Sequence, residues 1–229
     1  MEFKHVEQYI KRLPGKTIII ANQIYKELFY DLSFNTFLKY LTRLEDRAIL
    51  KSVSKGVYCR VLETPFGKVG VGDKEIKDFF ISENETGIEV GYGLYNKYRL
   101  TTQISKVIKI YSNKVTYKTQ KIKNIKIEKF KFQYSKQLQF TVEYMEILEN
   151  YTSIEDCNSK AFFDLCKKIA EEYDERKLEV VYGAGGYKKR TIAFLRAILN
   201  SFNIDHGLDG YLNPSSKYKY PEMEELYVA

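Results

Sequence analysis

Residues 33–60 constrain the fold of this 229-residue chain more than any other segment. In the first half of the segment, apolar residues recur every three to four positions, which places them on one buried face of a helix. These apolar residues are Phe34, Phe37, Leu38, Leu41 and Leu44. Ser33 stands directly before them, where a helix N-cap is expected. The segment therefore predicts an amphipathic helix that begins after Ser33 and ends near Ala48.

Two short apolar runs follow this helix and predict a β-hairpin. Residues 49–51 and 57–61 have the character of strands, and residues 52–56 form the turn, where Gly56 is free to adopt a positive φ. Upstream, residues 2–12 and 21–30 show helical periodicity, and residues 17–20 form a β-branched run. The order helix, strand, helix, turn, helix, hairpin is that of a winged helix-turn-helix, which lays a helix in the major groove of DNA.

The polar face of the third predicted helix is the candidate surface for reading DNA. Arg43 is the strongest candidate for a bidentate guanine contact or a phosphate clamp. An ion pair with a nearby acid (Asp31, Glu45 or Asp46) is the alternative role of its guanidinium. We expect the side chains of the hairpin turn to contact the adjacent phosphate backbone. The predicted DNA-binding residues are Ser33, Thr36, Lys39, Tyr40, Arg43, Arg47, Ser52, Ser54 and Lys55.

Composition agrees with a nucleic-acid partner and gives no sign of a metal site. The net charge of +7 permits binding to a polyanion. Three cysteines (Cys59, Cys157 and Cys166) are odd in number and lack C-x-x-C spacing, and the two histidines are far apart. No apolar stretch is long enough to span a bilayer, and the N-terminus lacks the apolar core of a signal peptide. We therefore expect a cytoplasmic protein with no metal and no cofactor.

A Pro- and Gly-rich stretch, residues 64–72, is the predicted linker between a DNA-binding domain, residues 1–63, and a second domain, residues 73–229. In the second domain, strand-like runs come first, and one of them is a predicted strand over residues 121–132. The alternation of apolar and polar residues in this strand slips near Asn124 and Lys129, which suggests bulges or a corner. Helical runs follow at 138–150, 159–174 and 187–201, and the tail from Asn203 has no periodicity. This order predicts an α+β fold: a mostly antiparallel sheet followed by C-terminal helices.

Lysine is concentrated on the predicted strands of the second domain. One face of the sheet is therefore expected to be strongly positive and to continue a DNA path from the hairpin. Protection of an edge strand against aggregation is an equally good explanation. The possible second basic surface comprises Lys121, Lys123, Lys126, Lys129 and Lys131. A further basic cluster, residues 188–190, opens the last helix, where cations are electrostatically misplaced and hint at an anionic partner, although surface chance is the better explanation.

No residue pattern predicts catalysis. Residues 180–188 resemble a strand, a glycine loop and a helix, but no Gly-Lys-Ser/Thr closes the loop and no G-x-G-x-x-G is present, so we do not predict nucleotide binding there. A nuclease-like site would need clustered acids on neighbouring strands, and the predicted strands are nearly free of acids. Two histidines leave few options for a general base. We therefore expect no catalytic residues and no enzymatic activity.

Three motifs resemble those of the AbiEi-type antitoxins of type IV toxin–antitoxin systems, a bacterial phage-defence (abortive-infection) family. They are Leu41-Thr42-Arg43-Leu44 with Ser54-Lys55-Gly56-Val57-Tyr58, then Phe66-Gly67, and finally Gly91 leading to Leu100-Thr101-Thr102-Gln103-Ile104. The last resembles the leucine-threonine-threonine-glutamine signature of the family. The chain departs from the family at two places: it has Asp46-Arg47-Ala48 where a glycine often follows the recognition helix, and Arg99 replaces the glycine that usually precedes the signature.

The resemblance implies two activities. The N-terminal domain would bind promoter DNA and repress its own operon, and the C-terminal domain would assist repression and antagonise a nucleotidyltransferase-like toxin. In a type IV system this antagonism does not require a stable complex with the toxin. Two alternatives of other classes are a stand-alone winged-helix regulator or protein-docking adaptor and, with less support, a nuclease-like enzyme.

Overall fold

Three helices and a small sheet form the first part of the chain in the computed structural model, which describes residues 3–115, 117–184 and 186–221. All pairings in the sheet are antiparallel, and its strand order is β1-β3-β2. The β2–β3 hairpin turns at Lys55 and Gly56, and Gly56 has a φ of +73°. The elements are α1 (Phe3–Arg12), β1 (Ile18–Ile20), α2 (Ala21–Leu28), α3 (Phe34–Asp46), β2 (Leu50–Ser54) and β3 (Val57–Arg60).

The sequence predicted these elements well because each has a local signal. Helix α1 ends before Pro14 and Gly15, neither of which favours a helix interior. The Ser33 hydroxyl accepts a hydrogen bond of 3.1 Å from the Thr36 amide, which confirms Ser33 as the N-cap of α3. Glu2, the predicted first residue of α1, lies outside the described residues. Strand β2 continues to Ser54, so the turn is shorter than the predicted turn over 52–56.

The predicted linker contains a second, smaller hairpin. Strands β4 (Leu62–Thr64) and β5 (Gly67–Val69) pair in antiparallel fashion, with Leu62 opposite Val69. Phe66 stands at the tip of this hairpin and is fully exposed. The Pro and Gly residues of this stretch therefore serve a tight turn between strands.

A four-stranded sheet and two helices follow. Its strand order is β6-β7-β9-β8, in which β7 and β9 run parallel and the other two pairings are antiparallel. The alternation slips near Asn124 because the chain turns there between β8 and β9, with Lys123 at a φ of +52°. The predicted single strand over 121–132 is therefore wrong, since it spans two strands. The elements are α4 (Asp73–Ile81), β6 (Gly87–Val90), α5 (Tyr92–Lys97), β7 (Ile108–Ser112), β8 (Thr119–Ile122) and β9 (Ile125–Glu128).

Helices complete the chain, and one of them was not predicted. The sequence pattern of residues 180–188 indicates a strand followed by a glycine loop. The predicted strand is wrong, because Val180 and Val181 lie in the last turns of helix α8 (Glu175–Gly183). Asp174 caps that helix by accepting hydrogen bonds from the Arg176 and Lys177 amides. The tail also packs: Leu208 is buried, and the Tyr220 ring stacks on Phe194 at 5.8 Å. The helices are α6 (Gln139–Asn150), α7 (Ser159–Glu172), α8 (Glu175–Gly183) and α9 (Lys189–Ser201).

The buried apolar residues form three clusters, one of which joins the two halves of the chain. This joining cluster contains Ile18, Ile20 and Val57 from the first sheet together with Phe80 of α4 and Ile127 of the second sheet. One of the other two clusters lies within the first module, which comprises α1, α2, α3 and the three-stranded sheet. The other lies between the four-stranded second sheet and the C-terminal helices. The fold is mixed α+β, as predicted, and the joining cluster packs residues from both sides of the predicted linker against each other.

Candidate nucleic-acid interface

Helix α3 is fixed in rotation by its apolar stripe and by one contact to the hairpin. Phe37, Leu41 and Leu44 are fully buried in the core of the first module. On the side facing the hairpin, the Glu45 carboxylate accepts a 2.8 Å hydrogen bond from the Ser52 amide. Burial, and then the Glu45 charge, raise the pKa of Tyr58 on β3, so this tyrosine stays neutral near neutral pH. The Glu45–Ser52 hydrogen bond therefore ties the end of the helix to the hairpin.

Three of the predicted DNA-binding side chains on α3 contact α1, although Arg43 and Arg47 remain exposed. The half-buried Tyr40 packs its ring edge-on against Phe3 at 5.3 Å. The Arg43 guanidinium lies over the same Phe3 ring, 4.5 Å from its centroid, and in the described part of the chain Arg43 makes no ion pair. Arg47 pairs with Glu7 at 3.1 Å. The predicted face is therefore rotated toward α1, because aromatic and arginine side chains bury apolar surface as well as carrying polar groups.

The side chains that point fully outward include two that the sequence interpretation missed. Asn35, Lys39 and Thr42 are exposed and recur at helical spacing, which places them on one face. Of the predicted residues, Lys39 belongs to this face, whereas Ser33 and Thr36 are joined by a 2.8 Å hydroxyl–hydroxyl hydrogen bond at the helix start. Asn35 and Thr42 could have been found from the sequence, since they lie opposite the apolar stripe. Asparagine is the residue type that contacts adenine by two hydrogen bonds.

The hairpin turn lies beside the N-terminal half of α3. Phe34 and Leu38 of the helix and Lys55 and Gly56 of the turn line one cavity of about 220 Å³. Lys55 is exposed, as predicted for a phosphate contact. Ser54 is engaged elsewhere, because its hydroxyl accepts a 3.0 Å hydrogen bond from the Gln120 amide at the start of the second sheet. The exposed side chain of Ser52 is in strand β2 and not in the turn.

The possible second basic surface is split into separate groups. Lys121 lies directly opposite Lys126, and Lys126 directly opposite Lys109, so three lysines form a row across β8, β9 and β7. The row is about 10 Å long, since neighbouring strands are about 4.8 Å apart. Lys123 belongs to another group, because it pairs with Asp73 at 3.3 Å. The exposed Lys129 and Lys131 follow the end of β9.

Edge protection does not account for this row. Of the three strands that the row crosses, only β8 is an edge strand, whereas Lys109 and Lys126 lie on the two central strands of the sheet. Like charges directly opposite each other destabilise a sheet, and here Glu128 compensates the charge of Lys126, with which it pairs at 2.6 Å.

The basic cluster at the start of α9 has an intramolecular explanation. The Glu149 carboxylate accepts hydrogen bonds from the Lys188 amide, at 3.0 Å, and from the Thr191 hydroxyl. It also pairs with the Lys188 ammonium at 3.3 Å, and Arg190 donates to the Glu149 carbonyl. Burial acts against ionisation of Glu149, but these hydrogen bonds outweigh it and lower the pKa of the carboxyl. The cluster therefore needs no external anion.

The leucine-threonine-threonine-glutamine segment ties one loop to another. Leu100 is buried, and its carbonyl accepts a hydrogen bond from the Asn158 amide at 2.7 Å. The buried Thr101 hydroxyl donates to the Glu155 carbonyl at 2.8 Å, and the Gln103 amide donates to Asp156 at 3.2 Å. Leu100, Thr101 and Gln103, three of the four residues of this segment, therefore have a structural role.

Two residues at the places where the chain departs from the resembled family have left-handed backbone conformations. Ala48 has a φ of +53° and Arg99 a φ of +58°. For residues other than glycine this region costs roughly 1–2 kcal/mol. Ala48 follows α3 at once, and Arg99 comes directly before the signature segment, which begins at Leu100. The geometry at both positions therefore suits glycine.

Replacing Arg99 by glycine is expected to stabilise the protein by about 1 kcal/mol, because relief of the left-handed strain exceeds the extra entropy of the unfolded chain. The melting temperature measured by circular dichroism should rise by about 2–4 °C. Arg99→Ala is the matched control, since alanine retains the strain, and it should leave the melting temperature unchanged. An equal gain from both variants would mean that removal of the arginine charge is the cause.

Neither a metal centre nor a transmembrane helix is found in the described residues. No group of three or more His, Cys, Asp or Glu side chains there is arranged to hold a metal ion. The helices in these ranges are too short or too polar to cross a bilayer.

The sequence was also compared with protein-family models and with curated proteins. No family model matches the chain, and no curated protein matches it.

Proposed function

We propose that this protein is the antitoxin of a type IV toxin–antitoxin system, which represses its own promoter by binding DNA and which opposes a nucleotidyltransferase-like toxin. In this proposal the first module acts as a winged helix-turn-helix, with α3 as recognition helix and the β2–β3 hairpin as wing. The proposal includes no enzymatic activity.

The observation that carries the DNA-binding part is the shared position of an exposed polar helix face and a basic turn. Asn35, Lys39 and Thr42 are exposed on α3, and Lys55 stands at the turn beside the start of the helix. A helix face can contact base edges in the major groove, while a wing lysine contacts the neighbouring phosphates. The left-handed backbone of Arg99 supports the family part of the proposal, since a glycine usually stands at this position in the resembled family. Ala48 is also left-handed, and it lies in the segment after α3 where the family often has a glycine.

The first test is a mobility shift with the DNA immediately upstream of the gene, with unrelated DNA as competitor. We expect specific binding whose affinity falls steeply with salt. Lys55→Ala should weaken binding to all sequences and reduce the slope of log K against log salt by about one. Asn35→Ala should cost about 1–2 kcal/mol on the operator and less on unrelated DNA, because it removes a base contact.

Lys160→Ala is the matched control, since Lys160 is an exposed lysine of α7 that is remote in sequence from α3 and the hairpin. It should leave both the affinity and the salt slope unchanged. Equal affinity for operator and unrelated DNA would contradict autorepression. If Lys55→Ala leaves affinity and slope unchanged, the hairpin is not a DNA-contacting wing. The absence of binding at low salt would favour a protein-docking adaptor.

Toxin antagonism is tested separately. Where a nucleotidyltransferase-like protein is encoded beside this chain, co-expression should relieve the growth arrest that this protein causes. The full-length Lys55→Ala variant should retain that relief, because the relief does not depend on DNA binding.

A further inference from the structure

The cavity beside α3 is formed by both halves of the protein, and we call it the hairpin cavity. Helix α3 contributes Phe34 and Leu38, the hairpin turn contributes Lys55, and Tyr117 and Gln120 come from the start of the second sheet. A hydrogen bond of 3.0 Å from Gln120 to the end of β2 joins the two halves here. Cavities at a junction between two parts of a protein are common places for small ligands.

Two aromatic side chains of the hairpin cavity are exposed to solvent. Phe34 is 39% exposed and Tyr117 is 58% exposed. They lie far apart in the sequence, yet they line the same cavity. Covering apolar surface is favourable, so a planar ring that enters the cavity gains contacts with both side chains.

The charge at the hairpin cavity is positive. Lys55 is exposed and has no ion pair in the part of the chain that the structure describes. Among the described residues, no aspartate or glutamate lines the cavity. Glu45, whose charge acts on Tyr58 of the cavity wall, accepts its hydrogen bond from the Ser52 amide and does not line the cavity. One positive charge on the wall therefore favours a ligand with one negative charge.

Three side chains of the cavity wall carry hydrogen-bond donors for such a ligand. They are the Lys55 ammonium, the Asn22 amide and the Tyr117 hydroxyl. Within the described ranges, the side chains of Asn22 and Tyr117 make no hydrogen bond to the rest of the protein. An ionised carboxylate only accepts hydrogen bonds, and its two oxygens can take several of them. A carboxylate is therefore the anionic group that matches this wall.

The size of the hairpin cavity limits the ligand to one ring. Its volume is about 220 Å³. A cavity of about 150 Å³ holds benzene, and a water molecule occupies about 30 Å³ in the liquid. The space left beside one ring is therefore about that of two water molecules, which suits a carboxylate group.

We propose that the hairpin cavity binds an aromatic monocarboxylate. Its ring packs on Phe34, Leu38 and Tyr117, and its carboxylate contacts Lys55. Because Lys55 is also the proposed phosphate contact of the wing, the bound ligand competes with DNA and releases the promoter. This release rests on the proposed function, whereas binding of the carboxylate does not.

Titration calorimetry on the full chain tests the ligand, with benzoate as the probe and benzamide, acetate and inorganic phosphate as comparisons. We expect benzoate to bind with a dissociation constant of about 0.1–1 mM, the range for a ligand of so few atoms. Benzamide has the ring without the charge, and acetate has the charge without the ring, so both should bind at least fivefold more weakly. Binding of benzoate no tighter than that of benzamide, acetate or phosphate would overturn the proposal.

Variants of the wall locate the site. Lys55→Ala should lower the affinity for benzoate to that for benzamide, because it removes only the charge. Tyr117→Ala should weaken benzoate binding at least fivefold, and melting curves verify that each variant is folded. Lys118→Ala is the matched control, since Lys118 is an exposed neighbour of Tyr117 in the sequence that does not line the cavity. Full benzoate affinity in Lys55→Ala or in Tyr117→Ala would place the ligand elsewhere and overturn the proposal.

A mobility shift with promoter DNA tests the release. At ten times the benzoate dissociation constant, the apparent affinity for this DNA should fall at least threefold relative to the same concentration of sodium chloride, which controls for ionic strength. An unchanged affinity would overturn the competition with DNA. If the protein binds no promoter DNA at all, the proposed function and the release fail together, and calorimetry still decides whether the cavity binds the carboxylate.

Discussion

Truncation of Phe80 to alanine is expected to lower the free energy of unfolding by about 3–5 kcal/mol, the usual cost of removing a fully buried phenylalanine ring. Phe80 has no exposed surface and contacts the Phe79 ring edge-on at 5.1 Å. It lies in the cluster that contains Ile18 and Val57 from the first sheet and Ile127 from the second. The loss should therefore destabilise both halves of the chain together.

Urea denaturation followed by circular dichroism and by tyrosine fluorescence measures this effect. We expect one cooperative transition at a lower midpoint in Phe80→Ala, with the two signals coincident. Phe66→Ala is the matched control, because Phe66 is fully exposed and its removal should change the stability by less than about 0.5 kcal/mol. Two separate transitions, one of them unchanged by Phe80→Ala, would show that the predicted domains 1–63 and 73–229 fold independently.

Sequence periodicity was sufficient where local signals agree with one another. Helix α3 has an apolar stripe, and Ser33 caps it where the sequence indicated. The β2–β3 turn is marked by Gly56, whose positive φ the turn requires. Such features depend on residues close together in the chain, so one sequence contains them in full.

Features that depend on distant contacts were not predictable in the same way. Helix α8 has only two buried residues, Leu178 and Val181, so its periodicity is weak and the following glycines dominate the pattern. Alternation along a strand shows which face of the sheet each residue lies on, but it does not show which strands are neighbours. The parallel pairing of β7 with β9 therefore could not be predicted from it.

The same limit applies to the candidate DNA-binding site. The orientation of Tyr40 and Arg43 depends on Phe3, which lies more than thirty residues earlier in the chain. An amphipathic side chain on the border of an apolar stripe can turn either way, and only its packing partner decides. Asn35 and Lys39 lie far from that border, so periodicity alone predicts that their side chains point outward.

Replacement of Glu146 by glutamine is expected to stabilise the protein above pH 7 by about 2–3 kcal/mol and to leave its stability near pH 4.5 almost unchanged. Burial raises the pKa of Glu146 from its usual 4.5 to about 7, the carboxylates of Glu149 and Glu128 add to this increase, and hydrogen bonds from Tyr187 and Tyr111 reduce it. Between these two pH values the folded state holds a proton that the unfolded state has released. Stability therefore falls as the pH rises from about 4.5 to about 7, at roughly 1.4 kcal/mol per pH unit at most.

Urea midpoints at pH 5, 6, 7 and 8 test this linkage in the natural protein and in Glu146→Gln. The natural protein should lose about 2–3 kcal/mol across this range, whereas the variant should show a nearly flat profile, because glutamine does not ionise. The lowered pKa of Glu149 contributes at lower pH only, since its stabilisation is lost as the pH falls through a value below 4.5. Parallel profiles for the two proteins would mean that Glu146 is ionised in the folded state with an ordinary pKa.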